Sequence, residues 1–166
     1  MTLVLGLDPG LAITGYGLVA SSGQELTLVA QGVLRTPAGK PLAERLLQLH
    51  RALTALIIRY RPDAAAVEEL FFGNNARTAM TVGEARGVLL LALAEAGVPI
   101  HGYTPLQVKQ AVTGYGQAEK PQVQEMVRLL LRLAEPPRPD DAADALAVAI
   151  CHHHAAQMTA LFQSEA

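Results

Sequence analysis

Asp8, Glu68, Asp141 and Asp144 stand where three widely separated apolar segments begin or end. Carboxylates gathered at the ends of core elements repel one another and lose hydration, so something positive must sit between them. A divalent cation meets that need, and an all-oxygen donor set suits Mg²⁺ or Mn²⁺ and not zinc. In Asp141-Ala142-Ala143-Asp144 the i, i+3 spacing puts both carboxylates on one helix face, and the alanines between them let the helix approach a sheet closely. Asp140 points roughly 100° away on such a helix and is expected to be its N-cap after Pro139. A helix N-terminus also favours negative charge, which holds these acids ionised. Taken singly, each acid has a plainer use as a turn residue, a solvated strand end or a complement to the helix dipole. Their joint occurrence at one edge is what points to metal.

That edge has to be built by the rest of the chain. Leu3-Val4-Leu5-Gly6-Leu7 is a short apolar run stopped by the turn chemistry of Asp8-Pro9-Gly10, which predicts a buried strand. Residues 15–21 and 25–36 predict two more strands in an antiparallel meander, separated at Ser22-Gly23. Across residues 41–60, Leu42, Leu46, Leu49, Leu53, Leu56 and Ile57 recur at helical spacing. Residues 63–68 then read as a buried strand that a right-handed crossover lays parallel to the first. Residues 74–96 predict a second long helix and 98–102 a last strand, with shorter helices from Pro105 and about Lys120 before a final one near Asp140. The order describes an α/β domain with a five-stranded mixed sheet flanked by helices. Ligands of such sheets bind beyond the carboxyl ends of the parallel strands, where Asp8 and Glu68 fall. Glu69, next along the strand, should face the other way.

A chain of 166 residues, 51% of them apolar, fits a single domain spanning residues 1–166 with a substantial core. Its one cysteine, Cys151, permits no internal disulfide, so a reducing cytoplasm is expected. The opening run lacks a basic leader and is too short to cross a bilayer, so no membrane association is expected. The net charge of −2 offers no support for a polyanionic partner. Distribution matters more: Arg77, Arg86, Lys109, Lys120, Arg128, Arg132 and Arg138 occupy the second half, and cations bound at the four acids would leave a more positive working surface.

Taken together, Gly6-Leu7-Asp8-Pro9-Gly10 with Thr14-Gly15-Tyr16-Gly17, Val67-Glu68-Glu69-Leu70-Phe71, Gly83-Glu84-Ala85-Arg86-Gly87, Gln107-Val108-Lys109-Gln110, Ala118-Glu119-Lys120 and Asp141-Ala142-Ala143-Asp144-Ala145-Leu146-Ala147 form an ordered set covering nearly the whole chain. The set resembles the RuvC family of Holliday-junction endonucleases, whose fold is ribonuclease H-like. The resemblance implies that Asp8, Glu68, Asp141 and Asp144 are catalytic acids that bind two divalent ions, Mg²⁺ or Mn²⁺, in each active site. It implies hydrolysis of a DNA phosphodiester leaving 5′-phosphate and 3′-hydroxyl ends. Phe71 matches the family's base-wedging aromatic, a contact worth about 1–3 kcal/mol per stacked base. Lys109 and Lys120 match positions that touch phosphate, and Arg77 is placed with them as a DNA contact.

The expected substrate is a four-way DNA junction, whose two-fold symmetry calls for a homodimer. Met80, Val82, Val88, Leu89 and Leu91 are candidates for its interface and equally for intramolecular core. The RuvA–RuvB branch-migration complex is the implied partner. Other uses remain open for several features. Asp8-Pro9-Gly10 also resembles the phosphate loop of actin-like ATPases and sugar kinases, which need a second lobe, and a junction-binding module without catalysis is the other class. Phe72 has an equal use in the core, and Gly114-Tyr115-Gly116 reads either as a flexible turn or as a simple helix connection. Three consecutive histidines, His152, His153 and His154, point in different directions on a helix and do not make a zinc site.

Overall fold

The computed structural model describes residues 1–69 and 75–164. In chain order the elements are β1 (Thr2–Asp8), β2 (Ile13–Ser22), β3 (Glu25–Arg35), α1 (Leu42–Tyr60), β4 (Ala64–Glu68), α2 (Ala76–Glu95), β5 (Ile100–Tyr103), α3 (Pro105–Thr113), α4 (Lys120–Leu130) and α5 (Asp140–Ser164). The strands form one sheet in the order β3-β2-β1-β4-β5. β1, β2 and β3 are an antiparallel meander, and β4 and β5 add to β1 in parallel. This is the expected mixed α/β sheet.

Alternation along the central strands divides the core into two layers. Val4, Ala64 and Ala66 face α3, α4 and α5, packing with Val108, Val127, Leu146 and Ile150. Leu5, Leu7, Ala65 and Val67 face α1 and α2, packing with Leu49, Leu53, Ile57, Leu89 and Leu93. α5 is apolar around most of its circumference because it is sandwiched between the sheet and α3 and α4, and it buries an unbroken run from Ala145 to His153.

Asp8 ends β1, where it pairs with Gly15 on β2, and Glu68 ends β4, both as expected. Several other boundaries shift by one or two residues, three of them for an evident local reason. α2 starts at Ala76, capped by Asn75, whose side-chain oxygen accepts from Thr78 N at 3.3 Å. β5 starts at Ile100 because Val98 N is spent on Leu93 O at 3.0 Å, closing α2, and Pro99 has no N–H to give. At α5, Pro139 takes the cap position, its carbonyl accepting from Ala143 N at 3.1 Å. Asp140 is therefore the first helical residue and not the N-cap.

Candidate active site

The β1–β4 ladder pairs Leu7 with Val67 in parallel, so Asp8 and Glu68, the next residue on each strand, finish side by side at the carboxyl edge. Both fall on the face shared by Val4, Gly6, Ala64 and Ala66, which is the α5 face. Behind them Arg86 Nε donates to the Glu68 carbonyl at 3.3 Å. Glu69 is exposed on the opposite face, where its Oε1 lies 2.7 Å from the position a Cβ on Gly102 would occupy. The loop after Asp8 is pinned on itself, with Thr14 Oγ1 donating to Gly10 O at 2.6 Å and Thr36 Oγ1 to Leu11 O at 2.6 Å.

Glycines under α5 bring the second pair of acids to this edge. A Cβ on Gly6 would stand 2.0 Å from Ala145 O, and one on Gly15 would stand 1.9 Å from Asp141 O. No side chain fits there, so the helix backbone rests directly on β1 and β2. Ala142, Ala143 and Ala145 are fully buried in that contact. Asp141 and Asp144, three residues apart at the start of the helix, are carried over the sheet edge and remain partly exposed.

The four acids feel one another. Burial, and then the charge of Glu68 and its hydrogen bond, push the Asp8 carboxyl up to about 8, with Asp144 and Asp141 adding to the effect. Burial raises Glu68 as well, opposed by the hydrogen bond from Asp8. Asp144 is raised by burial and held back by Lys120. Lys120 is lowered by partial burial but raised overall, first by Asp144 and then by Asp140. Its Nζ lies 3.3 Å from Asp144 Oδ2 and 3.6 Å from Asp140 Oδ2. As they stand, no three His, Cys, Asp or Glu side chains among the described residues close around a common point. Asp8 and Glu68 face each other while Asp144 faces Lys120. The donor chemistry nevertheless fits a hard divalent cation, because only carboxylate oxygens are gathered here and against their own repulsion.

Lys109 and Lys120 line a cavity of about 240 Å³ together with Glu68, Asp144, Pro105 and Val108. Two capped helices set them there. Thr104 caps α3, its hydroxyl accepting from Gln107 N at 3.2 Å, and Glu119 N donates to Gln122 Oε1 at 2.7 Å to open α4 at Lys120. The turn between them is a hydrogen-bonded connection, with Gly114 at φ +76° ending α3 and Tyr115 N donating to the Thr113 hydroxyl at 3.1 Å. Arg77 lies elsewhere, in a groove of about 510 Å³ lined by the Gly10–Ile13 loop, Arg45 and Thr81. Arg45, which the sequence does not distinguish from other surface arginines, is tied by Nε to Thr36 Oγ1 at 3.0 Å. Phe71 and Phe72 lie outside the described residues.

The histidines point three ways. His152 Nδ1 meets Tyr103 Oη at 2.7 Å, His153 Nε2 meets Val19 O at 2.8 Å, and His154 Nδ1 meets Ala111 O at 3.0 Å. Each satisfies a separate partner, two of them backbone carbonyls.

The sequence profile described as "Crossover junction endodeoxyribonuclease RuvC" matches residues 4–152. A protein of that description from Chloroflexus aurantiacus is 64% identical over 152 residues, covering 92% of this chain and 93% of its own. Among solved structures, Thermus thermophilus RuvC superposes with a TM-score of 0.89 at 43% identity, covering 95% of this chain and 97% of that one. Thermus thermophilus RuvC in complex with Holliday junction substrate gives 0.91 at 42% identity, covering 96% and 97%. With the mixed five-stranded sheet and helices on both faces, this likeness makes the fold ribonuclease H-like. The acids at the β1–β4 edge and the match along nearly the whole chain together place this protein in the RuvC family of crossover junction endodeoxyribonucleases.

Proposed function

We propose that the protein is a structure-specific endodeoxyribonuclease that resolves Holliday junctions by paired, symmetric nicks in opposing strands, serving recombination and repair of DNA. The observation that carries this reading is the parallel β1–β4 register, which sets Asp8 beside Glu68 opposite Asp141 and Asp144 on α5, with Lys109 and Lys120 at the rim.

Asp8, Glu68, Asp141 and Asp144 would hold Mg²⁺ or Mn²⁺, two ions per site, and such ions supply a water of lowered pKa and stabilise charge developing on the phosphodiester. The chain's own groups supply placement. Asp8 and Glu68 sit on adjacent strands whose backbone cannot shift independently, and Arg86 braces Glu68 from behind. Lys109 and Lys120 attract a phosphate to the cavity beside the acids. Arg77, with Arg45, offers a second contact for a DNA arm in the groove lined by the Gly10–Ile13 loop. Phe71, which follows β4 in the chain, is the base-wedging aromatic by its match to the family motif. One domain suffices for this chemistry. The two-fold symmetry of the junction calls for a homodimer acting beside the RuvA–RuvB complex in the cytoplasm. No helix among the described residues is long and apolar enough to cross a membrane.

The test is cleavage of a labelled synthetic four-way junction in Mg²⁺ or Mn²⁺, with both incisions mapped, against the same reaction in chelator. Symmetric nicks that vanish in chelator are expected. Binding without incision, or incision indifferent to chelator, would refute the reading.

A further inference from the structure

One carboxylate beside the four acids, Asp140, has no part in the site as described. It does not cap α5, since the Pro139 carbonyl accepts from Ala143 N at 3.1 Å and Asp140 already lies within the helix. Its side chain instead joins a small lattice between two helices. Asp140 and Asp144 are one turn apart on α5, and Lys120 and Gln124 are one turn apart on α4. Lys120 Nζ stands 3.3 Å from Asp144 Oδ2 and 3.6 Å from Asp140 Oδ2, so one ammonium is shared between an acid of the site and an acid outside it. Gln124 Nε2 donates to Asp140 Oδ1 at 3.0 Å, taking the oxygen that Lys120 leaves and fixing the carboxylate toward the ammonium.

A lysine with Asp144 as its sole partner would lose that partner whenever a cation claimed the carboxylate. The loss would weaken cation binding, and the freed side chain would swing into solvent. A second carboxylate in reach changes both outcomes. Resting on the metal-centre reading of the four acids, we propose that Asp140 is a positioning residue that keeps Lys120 paired at the rim of the site, so that the lysine neither competes with a divalent cation for Asp144 nor leaves the path of the phosphate.

The test is a double-mutant cycle read by calorimetric Mn²⁺ binding to the full-length protein without DNA, using wild type, D140N, K120M and D140N/K120M. Asn retains the oxygen that Gln124 holds and removes only the charge, and at 64% side-chain exposure the substitution does not threaten the fold. D140N is expected to weaken Mn²⁺ binding about two- to fivefold while Lys120 is present, the size of one exposed charge pair. In the K120M background the same substitution should change affinity less than about 1.5-fold. Equal weakening in both backgrounds would show the charge of Asp140 acting directly on the cation and would overturn the proposal. No weakening in either would overturn it as well. Failure of the wild type to bind Mn²⁺ at all would instead remove the metal centre on which the proposal stands.

Discussion

At the scale of single residues, the acids differ in what surrounds them, yet each should be needed for chemistry and none for recognition. Asp8→Asn, Glu68→Gln, Asp141→Asn and Asp144→Asn are each expected to lower junction cleavage by about 10²-fold or more. Junction affinity, read by gel shift in Ca²⁺, should stay within about threefold of wild type for each. Glu69→Gln, on the opposite face of the sheet, should leave cleavage within about twofold, and a loss as large as that of Glu68→Gln would mean the wrong neighbour has been assigned. His152 is a different case, a buried imidazole with a structural task. Burial, and then His101 and His153, hold it down to about 4, against 6.5 in the unfolded chain. The unfolded chain therefore takes up the proton first as pH falls. The contribution of His152 to stability is complete above pH 6.5 and is lost as pH drops toward 4, on the order of 2–3 kcal/mol. In an NMR titration its ring should remain neutral at pH 5.5, and a midpoint near 6.5 would contradict the burial argument.

At the scale of elements, the site depends on how closely α5 rests on β1 and β2. Gly15 is the narrowest point, where an added Cβ would stand 1.9 Å from the Asp141 carbonyl. Gly15→Ala must push the start of α5 off the sheet and carry Asp141 with it. Such overpacking costs about 1–3 kcal/mol, and urea unfolding should show it together with a fall in cleavage of about tenfold or more, since small misplacements of reacting groups are costly. Gly87 on α2 is the control, because nothing lies within 4 Å of a Cβ added there. Gly87→Ala should match or exceed wild-type stability by up to about 1 kcal/mol, the helix-propensity difference.

At the scale of the whole molecule, a net charge of −2 has to be reconciled with a polyanionic substrate. We propose that segregation does so, with Lys109 and Lys120 beside the acids and Arg77 with Arg45 in a groove lined by the Gly10–Ile13 loop. Lys109→Ala and Lys120→Ala should each weaken junction binding and reduce the slope of log K against log salt by about 1. An unchanged slope would mean the lysine touches no phosphate. We propose that the surface of α2 is the dimer interface. Met80 and Leu91 are 64% and 54% exposed and lie within about 20° of each other around the helix, whereas Leu89 is fully buried in the core. Met80→Glu with Leu91→Glu should shift the protein toward monomer in sedimentation equilibrium and reduce paired nicks to single ones. A dimer unaffected by both changes would place the interface elsewhere.

The amino-acid sequence by itself determined the things that have a local cause. Hydrophobic periodicity and turn chemistry are properties of neighbouring residues, so the five strands, the two long helices and the placement of Asp8 and Glu68 at strand ends were legible, as was the shared face of Asp141 and Asp144. Ala142 and Ala143, between Asp141 and Asp144, already signalled close approach of a helix to the sheet. Tertiary structure alone decided which partners meet across elements. Asp140 reads locally as a cap, yet the docking of α4 against α5 gives its carboxylate to Lys120 and Gln124. Leu89 and Leu91 are alike in sequence, and only the direction in which α2 faces the sheet makes one core and the other surface. Arg45 meets Arg77 because α1 and α2 pack side by side beside a loop from the first hairpin. No period along the chain encodes such meetings, because they depend on the rotation and translation of whole elements, which are set by packing over the entire core.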